Sequence, residues 1–126
     1  MKSVVICGST RFVSEIREFA QKLKELGVLV YEPNLYSGYD KVSEPDKKFL
    51  AMGLTHDHFR KMKMADVVYV YNKDGYVGVS TNMEIGFAVA IDKPIYVLEE
   101  KDEEIFRKNL FTAVVKTPEE LLTYLK

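Results

Sequence analysis

The chain has 126 residues, 47% of them hydrophobic and 29% charged, which fits one domain that spans residues 1–126. The formal charge of -1 argues against a protein that binds nucleic-acid polymers by neutralising phosphates. No apolar run approaches the roughly 20 residues of a membrane span, and the N-terminus lacks a signal-peptide pattern. We therefore expect a cytoplasmic protein without a membrane partner. A single cysteine excludes an intrachain disulfide framework and a zinc site built from several thiolates.

Apolar runs of strand length alternate with segments of helical periodicity along the chain. The predicted strands are 3–7, 28–31, 66–71, 94–98 and 111–115. The predicted helices are 11–26, 45–64, 81–91, 103–108 and a last one that begins at Thr117. Gly53 is expected to interrupt the second of these helices. Gly27 follows the first helix as its C-terminal stop. This alternation predicts an α/β, flavodoxin-like (Rossmann-like) fold, with a doubly wound, five-stranded parallel sheet in three layers.

Ligands of such sheets bind beyond the carboxyl ends of the strands, which selects the loops 8–11, 33–44 and 72–81. In the first loop, Gly8 allows a tight turn, and the hydroxyls and amides of Ser9 and Thr10 would favour an anion at a helix N-terminus. Arg11 would add donors for a phosphate or carboxylate. The alternative is an ordinary turn with a hydroxyl N-cap and an arginine in solvent. We expect Cys7, at the end of a buried strand, to have a packing role.

Two carboxylates stand near these loops. Glu84 would lie in the first turn of the helix after the third loop, although Thr81-x-x-Glu84 also reads as a capping box. Asp66 begins a buried strand and could instead bond a loop amide at the N-terminal edge of the sheet. His56 and His58, two positions apart, do not share one side of a helix, so we predict no metal site there.

Three segments, Ile6-Cys7-Gly8-Ser9-Thr10-Arg11, Ala65-Asp66-Val67-Val68 and Thr81-Asn82-Met83-Glu84-Ile85-Gly86-Phe87-Ala88, resemble the nucleoside 2-deoxyribosyltransferase superfamily. The first also resembles the 2′-deoxynucleoside 5′-monophosphate N-glycosidases. The resemblance implies a homo-oligomer that cleaves or transfers at an N-glycosidic bond without a metal or organic cofactor. It implies Glu84 as nucleophile, Asp66 as the group that assists the leaving base, and substrate contacts from Gly8, Ser9, Thr10 and Arg11.

Further substrate contacts are expected around the third loop and from the segment after the second strand. Gly78 stands where the family carries an aspartate or serine that contacts the 5′ side of the sugar, and Ser80 or Thr81 could substitute for it. Tyr36 could stack on a base or could cover the edge of the sheet.

The leading hypothesis is therefore a nucleoside or deoxynucleoside 5′-monophosphate N-glycosidase or 2-deoxyribosyltransferase that acts on a small nucleoside or nucleotide. One alternative is a non-catalytic nucleotide-binding or sensing module, in which Glu84 is only a cap and a phosphate is bound by Arg11 and Ser9. A third is a structural partner protein with an interface on the helix face 83–90. With no second domain to close over a substrate, we expect a dimer or a higher homo-oligomer.

Overall fold

The computed structural model describes residues 1–35 and 39–126 and contains one five-stranded parallel sheet. The strands are β1 (Val4–Gly8), β2 (Val30–Tyr31), β3 (Val67–Tyr71), β4 (Ile95–Val97) and β5 (Ala113–Val114). The helices are α1 (Val13–Glu25), α2 (Glu44–Met64), α3 (Val79–Ala90), α4 (Ile105–Lys108) and α5 (Pro118–Leu125). The strand order β2-β1-β3-β4-β5 confirms the predicted flavodoxin-like fold.

Both faces of the sheet are covered, because alternate side chains of the central strands enter separate apolar cores. One core lies between the sheet and the helices α1 and α5, and its members include Ile6, Ile16, Leu23, Tyr69 and Leu121. The other lies between the sheet and the helices α2 and α3, and its members include Val5, Cys7, Met62, Val70 and Ile85. Consecutive residues of β1 thus point into opposite layers, as three-layer packing requires. In the described residues, 1–35 and 39–126, no helix combines the length and apolarity that crossing a membrane demands.

Helix boundaries follow local chemistry, and several of them differ from the predicted ones; α1 and α4, for example, each begin two residues later than predicted. Gly27 ends α1 as predicted: its φ is 86°, and the Val28 amide donates to the Leu23 carbonyl at 3.1 Å. The predicted interruption at Gly53 is absent, since α2 runs through it and a glycine inside a helix costs only about 1 kcal/mol. The helix α3 begins two residues earlier than predicted, with Gly78 at its N-cap.

Candidate functional site

A cleft of about 740 Å³ opens at the carboxyl ends of β1 and β3. These neighbouring strands lead into helices on opposite faces of the sheet, α1 and α3, and the gap between two such connections is where open α/β sheets bind ligands. The walls are residues 8–10 after β1, residues 33–35 and Asp40 after β2, positions 51, 54, 55 and 58 of α2, and residues 78–81 and 84 of α3. The volume lies in the range of small-molecule sites.

Glu84 lies in the second turn of α3 and lines this cleft. Its Oε2 is 3.3 Å from Nε2 of His58, and its side chain is 15% exposed. Burial raises the pKa of Glu84 from 4.5 to about 7. Because α3 begins at Val79, Thr81 lies inside the helix and does not cap it. The capping box is therefore not formed, and the carboxylate of Glu84 faces another helix instead.

His58 of α2 connects Glu84 to the end of β1. Its Nε2 lies 3.3 Å from Sγ of Cys7, and its side chain is only 4% exposed. Burial lowers the pKa of His58 to about 4, so the imidazole is uncharged at neutral pH. Burial also raises the pKa of the Cys7 thiol, which packs in the core as predicted and in addition contacts the imidazole.

Sequence reasoning did not identify His58 as a site residue. A signal was present, because Leu54, His58 and Met62 recur every four positions and therefore share one helix face. Met62 is fully buried in the core beneath α2, so that spacing turns His58 inward as well. His56 is exposed, in agreement with the prediction that the two histidines point to different sides of the helix.

The loop after β1 brings Gly8, Ser9 and Thr10 to the cleft but not Arg11. The Ser9 hydroxyl accepts a hydrogen bond from the Arg11 amide at 3.1 Å and so caps a short 3₁₀ turn. The guanidinium of Arg11 stacks on the ring of Tyr76, with Cζ 3.6 Å from its centroid. The loop therefore lines the cleft through Gly8, Ser9 and Thr10, while the guanidinium of Arg11 lies outside it.

Asp66 lies at the opposite edge of the sheet from Glu84. It precedes β3, and the five residues of that strand, about 16 Å long, separate it from the carboxyl end where the cleft opens. Its Oδ2 accepts hydrogen bonds from the amide and the hydroxyl of Ser3, at 2.7 and 3.1 Å, and these bonds lower its pKa. The structure does not bring Asp66 and Glu84 together, although the resemblance implies that both act on one substrate. Asp66 instead bonds a backbone amide at the N-terminal edge of the sheet, which was its alternative role.

The remaining predicted contacts divide between the cleft and the part of the chain that is not described. Gly78, Ser80 and Thr81 line the cleft at the start of α3. Gly78 at the N-cap has no side chain, and among the described residues no other side chain caps this helix end, which leaves its backbone N–H groups available to a ligand. Tyr36 lies outside the described residues.

The wall opposite α3 is held by a polar network that the sequence did not predict. The Asn34 side-chain amide donates to Oδ2 of Asp57 at 2.8 Å, and Lys61 Nζ donates to Oδ1 of Asn34 at 3.1 Å. The hydrogen bond from Asn34, together with that from Lys61, lowers the pKa of Asp57 to about 2. The network ties the loop after β2 to α2 at Asn34, a residue that lines the cleft.

No protein-family model and no curated protein matches the chain in sequence. Among solved structures, a 2-deoxyribosyltransferase from Bacillus psychrosaccharolyticus is similar, with a TM-score of 0.70 and 16% identity over 94% of this chain and 89% of the other. A CMP N-glycosidase from Clostridium botulinum is similar with a TM-score of 0.56 and 19% identity, over 98% of this chain and 97% of the other. At these identities the similarity shows a common fold, which both structures share with nearly the whole chain.

Proposed function

We propose that the protein cleaves the N-glycosidic bond of a nucleoside or nucleotide, with Glu84 as the nucleophile. One observation carries the proposal: the half-buried carboxylate of Glu84 lines a cleft of ligand size at the switch point of the sheet, with its Oε2 3.3 Å from Nε2 of His58. Two proteins of similar fold are named for a deoxyribosyltransferase and a CMP N-glycosidase activity, which supports this class of reaction.

The proposed reaction begins with attack of the Glu84 carboxylate on C1′ of the sugar. A bond forms between the carboxylate oxygen and C1′, the C1′–N bond breaks, and its electron pair leaves with the base, which takes up a proton. Water or a second base then attacks C1′ of the glycosyl ester and releases Glu84. Attack by water gives hydrolysis, and attack by a second base gives transfer.

His58 is a positioning residue in this proposal, because it acts through Glu84. An uncharged imidazole with its proton on Nε2 donates to Oε2 of Glu84 across the 3.3 Å contact and favours the ionised carboxylate. The departing base also needs a proton donor near the cleft. Asp66 lies at the far edge of the sheet, so this proton must come from another group of the cleft or from water.

Polar groups on both sides of Glu84 are suited to the sugar. Hydroxyls of Ser9, Thr10 and Ser80 line the cleft, and the uncapped N-terminus of α3 supplies backbone N–H groups. Such an arrangement binds hydroxyl or phosphate oxygens at the 5′ end. Arg11 would reach a 5′-phosphate only after it leaves the ring of Tyr76.

The test is a panel of nucleosides, deoxynucleosides and their 5′-monophosphates, incubated with the pure protein and analysed for free base or exchanged nucleoside. Glu84→Gln keeps the side-chain size and should lower base release by ~100-fold or more. Glu103→Gln removes an exposed glutamate outside the cleft and should leave it unchanged. Full activity in Glu84→Gln contradicts the proposed nucleophile, and tight nucleotide binding with no base release favours the non-catalytic module.

Assembly into a homo-oligomer remains part of the proposal. Val79 and Met83 of α3 are 80% and 52% exposed; Val79 lines the cleft, and Met83 directly precedes Glu84 in the same helix. Apolar side chains so placed would be covered by a second copy that completes the walls. Sedimentation of the wild-type protein and of Met83→Lys tests this. The wild type should sediment with a mass greater than that of one chain, whereas Met83→Lys should sediment as a monomer.

A further inference from the structure

Cys7, His58 and Glu84 meet at one point although they come from β1, α2 and α3. We call this cluster the Cys7–His58–Glu84 triangle. Nε2 of His58 lies 3.3 Å from both Sγ of Cys7 and Oε2 of Glu84, and all the donor atoms lie within 4.8 Å of one another. The spacing of the two histidines argues against a metal site, but the fold supplies His58 with a thiol and a carboxylate from elsewhere in the chain.

The two edges of the triangle that meet at His58 match those of a zinc coordination tetrahedron. Zinc binds sulfur at about 2.3 Å and nitrogen or oxygen at about 2.0–2.1 Å, so the edges of a tetrahedral site are about 3.3–3.6 Å. The two measured contacts of 3.3 Å fall at the short end of this range. We propose that the Cys7–His58–Glu84 triangle binds a thiophilic divalent cation such as Zn²⁺, with the fourth coordination position open to the cleft.

The binding of a cation to the triangle changes the protonation of its three side chains. Coordination releases the thiol proton of Cys7 to solvent, together with the carboxyl proton of Glu84 in the fraction of molecules that carries it, while the imidazole proton of His58 moves from Nε2 to Nδ1. His58 and Glu84 line the cleft, which gives the ion a path to Cys7, a fully buried residue. One thiolate, one carboxylate and a neutral imidazole would leave the zinc complex with no net charge, as a half-buried site favours.

The second ring nitrogen of His58 indicates how strongly the site would bind a cation. Nδ1 is buried and has no hydrogen-bond partner in the described part of the chain. Histidine ligands ordinarily donate this N–H to an acceptor, and loss of that partner typically weakens metal affinity by about 10–100-fold. We therefore infer an exchangeable cation rather than a permanent structural one.

An exchangeable cation would regulate the reaction, and this consequence rests on the proposed function. A Glu84 oxygen bound to the cation has its lone pair engaged and does not attack C1′. Zinc should then inhibit base release in proportion to its occupancy, and a chelator should restore the activity.

The test uses Co²⁺ alone with the chelator-treated, full-length protein. Binding of one cobalt ion per chain should give a thiolate-to-cobalt charge-transfer band, which Cys7→Ser should abolish. His58→Gln and Glu84→Gln should each weaken cobalt binding by at least ~10-fold. His56→Gln is the matched control, because His56 is an exposed histidine of the same helix and should leave binding unchanged.

Circular dichroism establishes that each variant is folded, and Cys7→Ala replaces Cys7→Ser if the serine variant is not. The absence of a charge-transfer band from the folded wild type, or a band that persists in the folded Cys7 variant, overturns the cation site. Because cobalt binding is measured without substrate, the two proposals fail separately. A protein that binds cobalt but releases no base contradicts only the proposed function, and one that releases base but binds no cobalt contradicts only the cation site.

Discussion

Replacement of Glu84 by glutamine should stabilise the folded chain at alkaline pH more than at acidic pH. Burial raises the pKa of Glu84 from 4.5 to about 7 in the folded state, whereas the unfolded chain keeps the lower value. Stability from the protonated carboxyl is thus fully present below pH 4.5 and is lost as the pH rises through about 7. A pKa difference of one between the folded and unfolded states corresponds to about 1.4 kcal/mol of stability, so the total loss of stability is about 3 kcal/mol. Glutamine does not titrate and escapes this loss.

Urea unfolding at about pH 5 and about pH 8, with a chelator in the buffer, measures the effect. The free energy of unfolding of Glu84→Gln, relative to the wild type, should be greater at the higher pH by roughly 2–3 kcal/mol. Glu103→Gln controls for the loss of one negative charge at an exposed position. If the difference between Glu84→Gln and the wild type is the same at both pH values, the carboxyl is not held in the buried environment described above.

Further predictions concern the pH profile and three residues outside the site. Base release should rise between about pH 6 and pH 8 as Glu84 ionises, and a rate that falls over this range would contradict a glutamate nucleophile. Asp66→Asn should leave base release unchanged. Its urea midpoint should be lower than that of the wild type at neutral pH but not in strong acid, because hydrogen bonds to the ionised form depress the pKa of Asp66. Arg11→Ala should keep base release from neutral nucleosides, since its guanidinium stacks outside the cleft, and a large loss in steady-state kinetics would place it at the sugar. Tyr69→Phe should cost about 1–2 kcal/mol in urea unfolding, because the buried hydroxyl donates to a backbone carbonyl at 2.6 Å.

The layered fold could be predicted from local patterns because its determinants are local. The near-continuous apolar run of β3 indicates a strand buried on both faces, and Gly27 marks the end of α1 through its positive φ. The start of α3 was harder to predict from the sequence, because Gly78 forms an N-cap without the side chain that usually marks one. Its earlier start removes the capping role that was the alternative for Glu84.

The composition of the site depended on tertiary contacts that no spacing along the chain encodes. Glu84 and the loop after β1 were identified because they follow strands whose carboxyl ends meet at the switch point. Asp66 precedes its strand, so the strand direction carries it to the far edge of the sheet. His58 came from another helix, and only the packing of α2 on the sheet brought its imidazole between Cys7 and Glu84. Hydrophobic periodicity therefore established the layers and the edge at which a ligand binds, whereas burial and long-range packing decided which titratable groups meet there and in which protonation state.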